Sequence, residues 1–547
     1  MARRHPLQPN YSADWADFVS FAEHLRNTTA ANGQDLLLVD SGDRHDGNGL
    51  SDATEPNGVL ALPIFLRQEY DIVAIGNHEL YLWENTVQEL EVMVRALGDR
   101  YISSNVEFLR DGKLYPVGRQ YRYFKTPVQK RRVLAFSFLF NLHRVNNCTK
   151  ITPVVKVVEQ SWFKTVLEHF PPREVDVIVV TGHLPVSKKE HDMHILHSVL
   201  RAHYRDTPIQ YFGGHSHIRD FLVLDETLTG LQSGSFCETV GFLSLNMSDS
   251  RLAVKERFFR SYIDFNLDLF QFHTNIYSHA EFDTKKSVSV RKSLREASLT
   301  LNLDAVIGNV SRDYYMYRVP LNHPQSIYAL LTEQVLPMLE PDSSETAIQD
   351  ERVIILHTGA IRYDLYRGSY TVNSRYILSP FKDVWMKSTV PKSVAVKIIP
   401  VLQHGPPIFS AHNFLVPPHQ RYLDAGDFTI QSDFVIESDF ESGAELGEVP
   451  ASVQLNYGYV TYDDFGNDGD DTPHRRMHKY WNPTVVACEQ LGDSGDDALV
   501  DVIYLDFMIP DITRALRKLG LPVDAPEEYS GKHLGDLIDA FAASGRL

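Results

Sequence analysis

Aspartate, asparagine and histidine recur in this sequence at one kind of position, directly after short apolar runs that end in glycine. Asp43 follows LLLVDSG, Asn77 and His78 follow IVAIG, His183 follows VIVVTG, and His215 and His217 follow QYFGG. Carboxylate, amide and imidazole ligands without thiolates suit Zn, Mn or Fe. Two such ions that share a carboxylate can activate a water molecule and neutralise a phosphoryl oxygen, which is the chemistry of phosphoester hydrolysis.

The His-x-His pair at 215 and 217 is weak evidence on its own, since the chain has 23 histidines and short motifs match by chance. The stronger argument is the recurrence of ligand-type residues beyond strand ends, because ligands of open α/β sheets bind at the carboxyl edge of the strands. Buried polar residues without a shared task would each need a partner and would cost stability. We therefore expect Asp43, Asn77, His183 and His215 to converge on one point.

Strand-like and helix-like segments alternate through the first half, which is typical of an α/β layered domain. SADWADFVSFAEHLRN has helical spacing of its apolar residues, with Ser12 as a candidate N-cap. A helix over residues 287–308 is predicted to lead out of this domain. We place the boundary near residue 290, which gives domains 1–289 and 290–547.

The second half contains a Gly/Asp-rich stretch, DDFGNDGDDTPHRR. Its NDGDDTPH part could be a calcium loop, but the spacing does not match the EF-hand pattern. A solvated acidic loop is the preferred interpretation.

Bulk composition excludes several classes of function. The formal net charge of -18 disfavours a general nucleic-acid binder, which would normally be basic, and also disfavours binding to anionic membranes. No apolar run approaches the length of a membrane span. The three cysteines lack CxxC spacing, which disfavours a disulfide framework or thiolate zinc site and leaves one disulfide with a leftover thiol open.

The motifs carry a family resemblance. Gly42-Asp43, GNHE at 76–79, Gly182-His183 and GHxH at 214–217, in this order, resemble those of the calcineurin-like metallophosphoesterases. TGAIRYDLYRGSYTVNSRYILSPF resembles the substrate domain of the 5'-nucleotidase family, and most of the chain resembles fungal members of that family. The resemblance implies a four-layer α/β/β/α metallophosphoesterase domain followed by an α+β substrate-binding domain. It also implies hydrolysis of a nucleotide or related phosphoester.

The same resemblance implies a role for each ligand-type residue. Asp43 would bridge two divalent metal ions, and Zn, Mn or Fe are the expected metals. Asn77, His183 and His215 would hold the second metal. His217 would hold the first.

On the substrate side, the resemblance places His78 near the phosphoryl group, where it would stabilise charge or aid the leaving group. Arg362 in GAIR would contact the phosphate or ribose, beside Phe381 of the Pro-Phe motif. Trp385 falls where relatives place an aromatic residue that stacks on the base, although core packing explains it equally well.

The sequence also departs from the family pattern. Relatives begin with Asp-x-His on the first strand, where both residues bind the first metal, and no such motif precedes SADWADF. His5, His45 and Asp46 are the nearby substitutes, and none has the right spacing. Tyr81 stands where many relatives place an aspartate. We therefore expect an impaired first metal site in the chain as printed.

Three alternatives remain open, two because of these departures and one because protein phosphatases share the GD and GNHE motifs. The start of an active enzyme could be missing, the chain could be a catalytically impaired nucleotide-binding or scaffold protein, or it could be a protein phosphatase. The GHxH pair and the long second half disfavour the phosphatase. The start, MARRHPLQPNYSADW, is not a signal peptide. Full-length relatives suggest a secreted or vacuolar location, and a genuine start would suggest a cytoplasmic one.

Overall fold

The structure, a computed structural model, describes residues 10–142, 145–249, 251–342, 351–404, 456–522 and 524–547. The described chain forms two compact units, and each unit is assembled from parts that are distant in sequence. The first contains residues 10–45, 54–300 and 456–476, and the second contains residues 46–53, 301–404 and the described residues from 477 onward.

The first unit is rich in short strands. In chain order they are β1 Val39–Asp40, β2 Ile72–Val73, β3 Val106–Arg110, β4 Lys113–Pro116, β5 Tyr121–Lys125, β6 Arg132–Leu139, β7 Thr149–Ile151, β8 Val177–His183, β9 Ile209–Gly213, β10 Arg219–Asp225, β11 Leu228–Ser233, β12 Thr239–Leu245 and β13 Phe258–Asp264. Its α-helices are Trp15–Ala31, Ala61–Phe65, Trp83–Gln88, Arg95–Leu97, Val154–Val157, Ser161–His169, His191–His203, Val254–Arg257, Leu267–Thr274, His279–Phe282 and Lys285–Thr300.

Six of these strands form one mixed sheet in the order β10-β11-β9-β8-β6-β5. Strands β6, β8, β9 and β11 run parallel, and β5 and β10 pair antiparallel at the two edges. The carboxyl ends of β8 and β9 therefore lie side by side. Smaller sheets are formed by the parallel pair β1-β2, the antiparallel pair β12-β13 and the triplet β4-β3-β7.

The two faces of the six-stranded sheet bury different layers, because successive side chains of a strand point to opposite sides. Phe136 of β6 faces the helices Ser161–His169 and His191–His203 in one apolar cluster. Its neighbour Ala135 lies in another cluster with Ile72 of β2. The predicted mixed α/β class of the N-terminal domain is confirmed.

Two helix boundaries differ from the sequence-based expectations. The first helix is capped by Asp14, whose carboxylate accepts from the N–H groups of Ala16 at 2.8 Å and Asp17 at 3.0 Å. Ser12 instead accepts from the backbone of Leu267 at 3.1 Å. The helix predicted over 287–308 ends at Thr300, and Val306–Val310 is a strand because its residues pair with another strand of the second unit.

The second unit has seven strands among its described residues: β14 Val306–Val310, β15 Arg352–His357, β16 Gly368–Thr371, β17 Trp385–Pro391, β18 Val485–Gln490, β19 Leu499–Leu505 and β20 Glu527–Ser530. Five form a sheet in the order β18-β15-β19-β17-β20, and β14 pairs with β16. Its α-helices are Gly49–Asp52, Ile327–Leu330, Val372–Leu378, Lys392–Gln403, Ile509–Lys518 and Leu534–Ala543. This is the predicted α+β domain.

The chain passes between the units more than once. The predicted boundary near residue 290 lies inside the helix Lys285–Thr300, and the passage comes after residue 300. Residues 46–53 belong to the second unit, where the Gly49 N–H donates to Asn373 Oδ1 at 3.0 Å. The predicted domain ranges 1–289 and 290–547 assume that the chain passes once from the first unit to the second. They do not describe segments, such as residues 46–53, that belong to the other unit.

Residues 456–476, which we call the return segment, belong to the first unit. Arg260 of β13 binds Asp463 at 2.7 Å, and Arg219 of β10 binds Asp470 at 3.0 Å. Both guanidinium groups are buried. The interpretation of this stretch as a solvated acidic loop is wrong, because buried arginines need counter-charges and the segment supplies them.

The three cysteines, Cys148, Cys237 and Cys488, are free thiols in the structure. The disulfide that the sequence left open is therefore not formed. None of the described helices has the length and apolar character to cross a membrane.

Candidate metal centre

Asp43 is held against the loop of residues 76–79 by a very close backbone approach. It adopts a left-handed conformation with φ of 66°. Its Oδ1 atom accepts from the His78 N–H at 3.0 Å. A Cβ atom on Gly76 would lie 2.0 Å from that same Oδ1 atom, so the position requires glycine. The GNHE glycine thus lets two strand ends meet.

The carboxylate of Glu79 clamps the same two loops together. It accepts from the backbone N–H groups of Asp43 at 2.9 Å, Arg44 at 2.5 Å and Gly76 at 2.7 Å. Burial raises the pKa of Glu79, but the adjacent Arg44 guanidinium outweighs it and the pKa is lowered. Glu79 therefore stays ionised as an acceptor. The sequence analysis quoted this residue within GNHE without assigning it this role.

His183 and His215 bring imidazoles from β8 and from the turn after β9 towards Asp43. His183 Nε2 lies 2.7 Å from Asp43 Oδ2, and its Nδ1 lies 3.0 Å from the Ser41 carbonyl oxygen. The ligand atoms of Asp43, His183 and His215 all lie within 4.8 Å of one another. Phe140 stacks on the His215 ring with centroids 4.0 Å apart. The structure thus brings three of the predicted ligands together.

Asn77 and His78 lie in the loop that contacts Asp43. The Asn77 Nδ2 group donates to the Tyr81 hydroxyl, which orients the amide. His78 Nε2 lies 3.7 Å from Asp43 Oδ2, and the Tyr81 ring packs edge-on against His78 at 5.1 Å. Tyr81, a departure from the family pattern, therefore supports both motif residues.

His215 and His217 lie on a turn with left-handed backbone, at φ of 73° and 58°. Gln232 of β11, which is 1% exposed, holds this turn. Its Nε2 donates to Ser216 Oγ at 2.6 Å and to the Ile218 carbonyl at 3.0 Å, while its Oε1 accepts from Val186 N–H at 3.2 Å. Sequence reasoning missed Gln232, whose only signal is a polar residue within an apolar strand.

The ionised Asp43 and the neutral His215 suit a cation, whereas His183 must lose a proton to bind one. Burial lowers the pKa of His183, but the Asp43 carboxylate outweighs it and the pKa is raised. Burial raises the pKa of Asp43, but the imidazoles of His183 and His78 outweigh it and hold that pKa well below its usual range. Burial, aided by the neighbouring His183, lowers the pKa of His215. An ionised carboxylate and a neutral imidazole are the forms that bind metals. This donor set fits a Zn, Mn or Fe ion.

The structure describes two of the three residues considered as substitutes for the first metal, His45 and Asp46. His45 groups with Glu79 and Glu89, with ligand atoms within 4.8 Å of one another, rather than with the Asp43 cluster. The Arg44 guanidinium lies 2.9 Å from Glu89 and supplies positive charge to that group. Asp46 belongs to the second unit, and His5 lies outside the described residues.

The predicted substrate residues lie in the second unit. Arg362 follows β15, and its guanidinium lies 5.8 Å from the centroid of Phe381. Both residues are buried. Trp385 begins β17 and is 0% exposed within the apolar core. Of its two predicted roles the structure favours core packing, since no ring face is open to a base.

Two family models match the chain. Residues 7–219 match the calcineurin-like phosphoesterase model, and residues 313–513 match the model of the NAD nucleotidase C-terminal domain. The first match spans the motifs that carry Asp43, His183 and His215. The second spans Arg362, Phe381 and the return segment.

Similarity to individual proteins extends along nearly the whole chain. The crystal structure of a 5'-nucleotidase from Candida albicans is 45% identical, with a TM-score of 0.86, over 98% of this chain and 94% of that one. An uncharacterized protein of Saccharomyces cerevisiae is 39% identical over 94% of this chain and 85% of its own length. A secreted protein of Arthroderma benhamiae is 33% identical over 97% and 86%, respectively.

Proposed function

Because the chain belongs to the calcineurin-like metallophosphoesterases with a nucleotidase-type C-terminal domain, we propose that it is a metal-dependent hydrolase that releases phosphate from nucleotides. The grouping of Asp43, His183 and His215 carries this proposal, since it is a donor set for divalent metals at the edge of an α/β sheet. The similarity to a 5'-nucleotidase over almost the full length supports a nucleotide as the substrate. The match of residues 313–513 to the NAD nucleotidase C-terminal domain also weighs against a protein phosphatase.

Each ligand has a defined role in this proposal. Asp43 would be a ligand of both divalent ions, and Asn77, His183 and His215 would complete the second site. Bound ions would supply an activated water and a positive field for the phosphoryl oxygens. The contacts of Glu79 and Gln232 support these roles, because they fix the backbone that carries the ligands.

His78 acts on the substrate rather than on a metal. The hydrogen bond of its backbone N–H to Asp43 and the packing of its ring against Tyr81 support this role, because they restrict its position. His78 stabilises charge on the phosphoryl group or aids the leaving group. Arg362 and Phe381 bind the nucleotide, through charge on the phosphate or ribose side and through an aromatic surface. A secreted location is also proposed, supported by the similarity to a secreted protein.

The two metal sites are unequal in the chain as printed. The second has four proposed ligands, whereas Asp43 and His217 are the proposed ligands of the first among the described residues. Catalytic zinc sites normally have three protein ligands, so two ligands make a weak site. A polypeptide with the printed sequence should therefore bind one metal tightly and hydrolyse phosphoesters slowly.

Metal analysis with AMP kinetics tests the proposal. Asp43→Asn should lose metal and lower phosphate release from AMP by about 10²-fold or more, because it removes the shared ligand. Asp225→Asn is a matched control, since Asp225 ends β10, pairs with Arg201 of the helix His191–His203 and is not one of the grouped ligands. AMP hydrolysis that survives in Asp43→Asn would contradict the proposal.

The inequality of the sites is tested by extending the chain. Adding an N-terminal segment that carries Asp-x-His should raise both metal content and turnover. Two tightly bound metals in the unextended polypeptide would refute the inequality. Nucleotide binding without phosphate release by the extended chain would favour a catalytically impaired binding protein.

A further inference from the structure

We propose that the return segment, residues 456–476, is a positioning element of the metal centre that fixes the turn carrying His217. The inference rests on the metal role proposed for His217. It goes beyond that role because it assigns a task to a part of the chain that contains none of the proposed ligands. Two separate contacts lead from the return segment to the two sides of His217.

The first contact passes through Arg219, which follows His217 by two residues. Its side chain is 1% exposed, and it donates to Thr239 Oγ1 at 2.8 Å and to Asp470 Oδ1 at 3.0 Å. It also donates to Asp264 of β13. Asp470 is itself fixed, because its carboxylate accepts from the N–H of Thr461 at 2.8 Å and from its hydroxyl at 2.6 Å. The return segment thus anchors the residue at the exit of the histidine turn.

The second contact passes through Tyr459. Its hydroxyl lies 2.9 Å from Ser235 Oγ and accepts from the Ser235 N–H at 3.2 Å. The next residue, Phe236, places its ring edge-on against His217, with centroids 5.5 Å apart. The Tyr459 ring also lies 4.6 Å from the Arg219 guanidinium, so it joins both contacts.

Backbone strain makes these contacts necessary. His217 has φ of 58°, Phe236 has φ of 53° and Cys237 has φ of 55°, all in the left-handed region. Non-glycine residues there are strained and persist only where surrounding structure holds them. Gln232 holds the turn from one side, and the return segment holds its exit and its aromatic neighbour. Loss of the contacts made by the return segment should therefore let the turn that carries His217 leave its left-handed conformation.

If the return segment only stabilised the fold, loss of any of its buried carboxylates would loosen the His217 turn to the same extent. Asp463 is a second buried carboxylate of the same segment, and it pairs with Arg260 and accepts from the Tyr262 hydroxyl at 2.9 Å. Within the described residues, Asp463 makes no hydrogen bond to Arg219 or Ser235. Asp463→Asn is therefore a matched control that weakens the pairing of the segment with β13 and keeps the hydrogen bonds of Asp470 to Arg219 and of Tyr459 to Ser235.

The experiment is hydrogen exchange by mass spectrometry on the full chain without added metal. Asp470→Asn and Tyr459→Phe should raise exchange of the peptide covering 214–221 about tenfold. Asp463→Asn should raise exchange in the return segment and β13 and leave 214–221 unchanged. Unchanged exchange of 214–221 in both test variants overturns the proposal, and so does an equal rise in Asp463→Asn.

Titration with Mn²⁺ gives the functional consequence. On a chain extended by an Asp-x-His segment, Asp470→Asn and Tyr459→Phe should weaken the weaker Mn²⁺ site about tenfold, as is typical for groups that orient ligands. Asp463→Asn should bind Mn²⁺ like the parent chain. Equal affinities in all variants would overturn the positioning role. Absence of Mn²⁺ binding in the parent would refute the proposed function, while the exchange result would still decide whether the segment positions the turn.

Discussion

At the scale of single residues, the candidate centre depends as much on supporting side chains as on ligands. Gln232 joins the turn of His215 and His217 to the chain after His183 through one amide group. Glu79 does the same for the loops of Asp43 and Asn77. Such supporting groups matter because metal ligands must be held close to bonding geometry before the ion arrives.

Replacement of Gln232 by Met should weaken metal binding about 10-fold to 100-fold, because the side chain keeps its volume and loses its hydrogen bonds to the turn. Gln210→Met is the matched control, since Gln210 is a buried glutamine of β9 that bonds to Thr229 and to the Tyr211 carbonyl. Both variants should lower unfolding free energy by about 1–3 kcal/mol. Metal titration separates them, and equal metal affinities would contradict the role of Gln232.

Replacement of Arg362 by Ala should weaken nucleotide binding by roughly 1.5–3 kcal/mol, the range for a charge-assisted hydrogen bond. Arg367→Ala is the control, because Arg367 is an exposed arginine a few residues later. Calorimetric titration with AMP measures the difference. A folded Arg362→Ala protein with parental affinity would remove this residue from the substrate site.

Predictability from sequence differs among these residues. Asp43, His183 and His215 could be grouped because parallel strands end at one edge, and the structure places their ligand atoms together. The role of Trp385 could not be assigned, because the sequence around an aromatic residue at a strand start does not distinguish core packing from contact with a ligand. Gln232 and the partners of Arg219 were missed because their contacts join residues that are distant along the chain.

At the scale of elements, two aspartates of the second unit, Asp383 and Asp506, also lie next to strand ends. Asp383 lies shortly before β17, and Asp506 directly follows β19, with its N–H donating to the Val384 carbonyl at 2.9 Å. Burial and the Asp46 charge raise the pKa of Asp383 to about 7, although the His533 charge acts to lower it. Burial and the neighbouring Asp383 raise the pKa of Asp506 to about 6.

This pair should make the protein less stable as the pH rises. The folded pKa of Asp383 lies above its ordinary value of 3.8, so the stabilising protonated state is complete below about pH 4 and is lost as pH approaches 7. Asp383→Asn should therefore raise unfolding free energy at pH 8 relative to pH 4 by about 2–4 kcal/mol compared with the parent. Denaturant unfolding at both values checks this, with the exposed Asp493→Asn as control. A pH-independent difference would contradict it.

At the scale of the whole molecule, the two units were expected from length and from the change of pattern, and their fold classes agree with the expectation. The exchanges of chain between them were not expected. They depend on pairs such as Arg219 with Asp470, which are separated by 251 positions and have no local sequence signal. Helical or strand periodicity describes each element, but it does not say which unit an acidic stretch will join.

A fragment of residues 1–300 should be markedly less stable than the same fragment joined through a flexible linker to residues 456–476. Without the return segment, the buried Arg260 loses its pairing with Asp463, and breaking one such pair costs about 3–5 kcal/mol. Urea unfolding followed by circular dichroism compares the two fragments. Coincident unfolding midpoints would show that the segment contributes nothing to the first unit.

The return segment also limits how such a protein can be recombined. A chimera made by a single crossover after residue 300 would keep Arg219 and Arg260 from one parent and take the carboxylates of residues 456–476 from the other. The exchange of residues 46–53 imposes the same dependence in the opposite direction, through Gly49 and Asn373. The two halves of the gene therefore cannot be exchanged independently. A substitution of one partner in these pairs is expected to be tolerated only with a compensating change of the other partner.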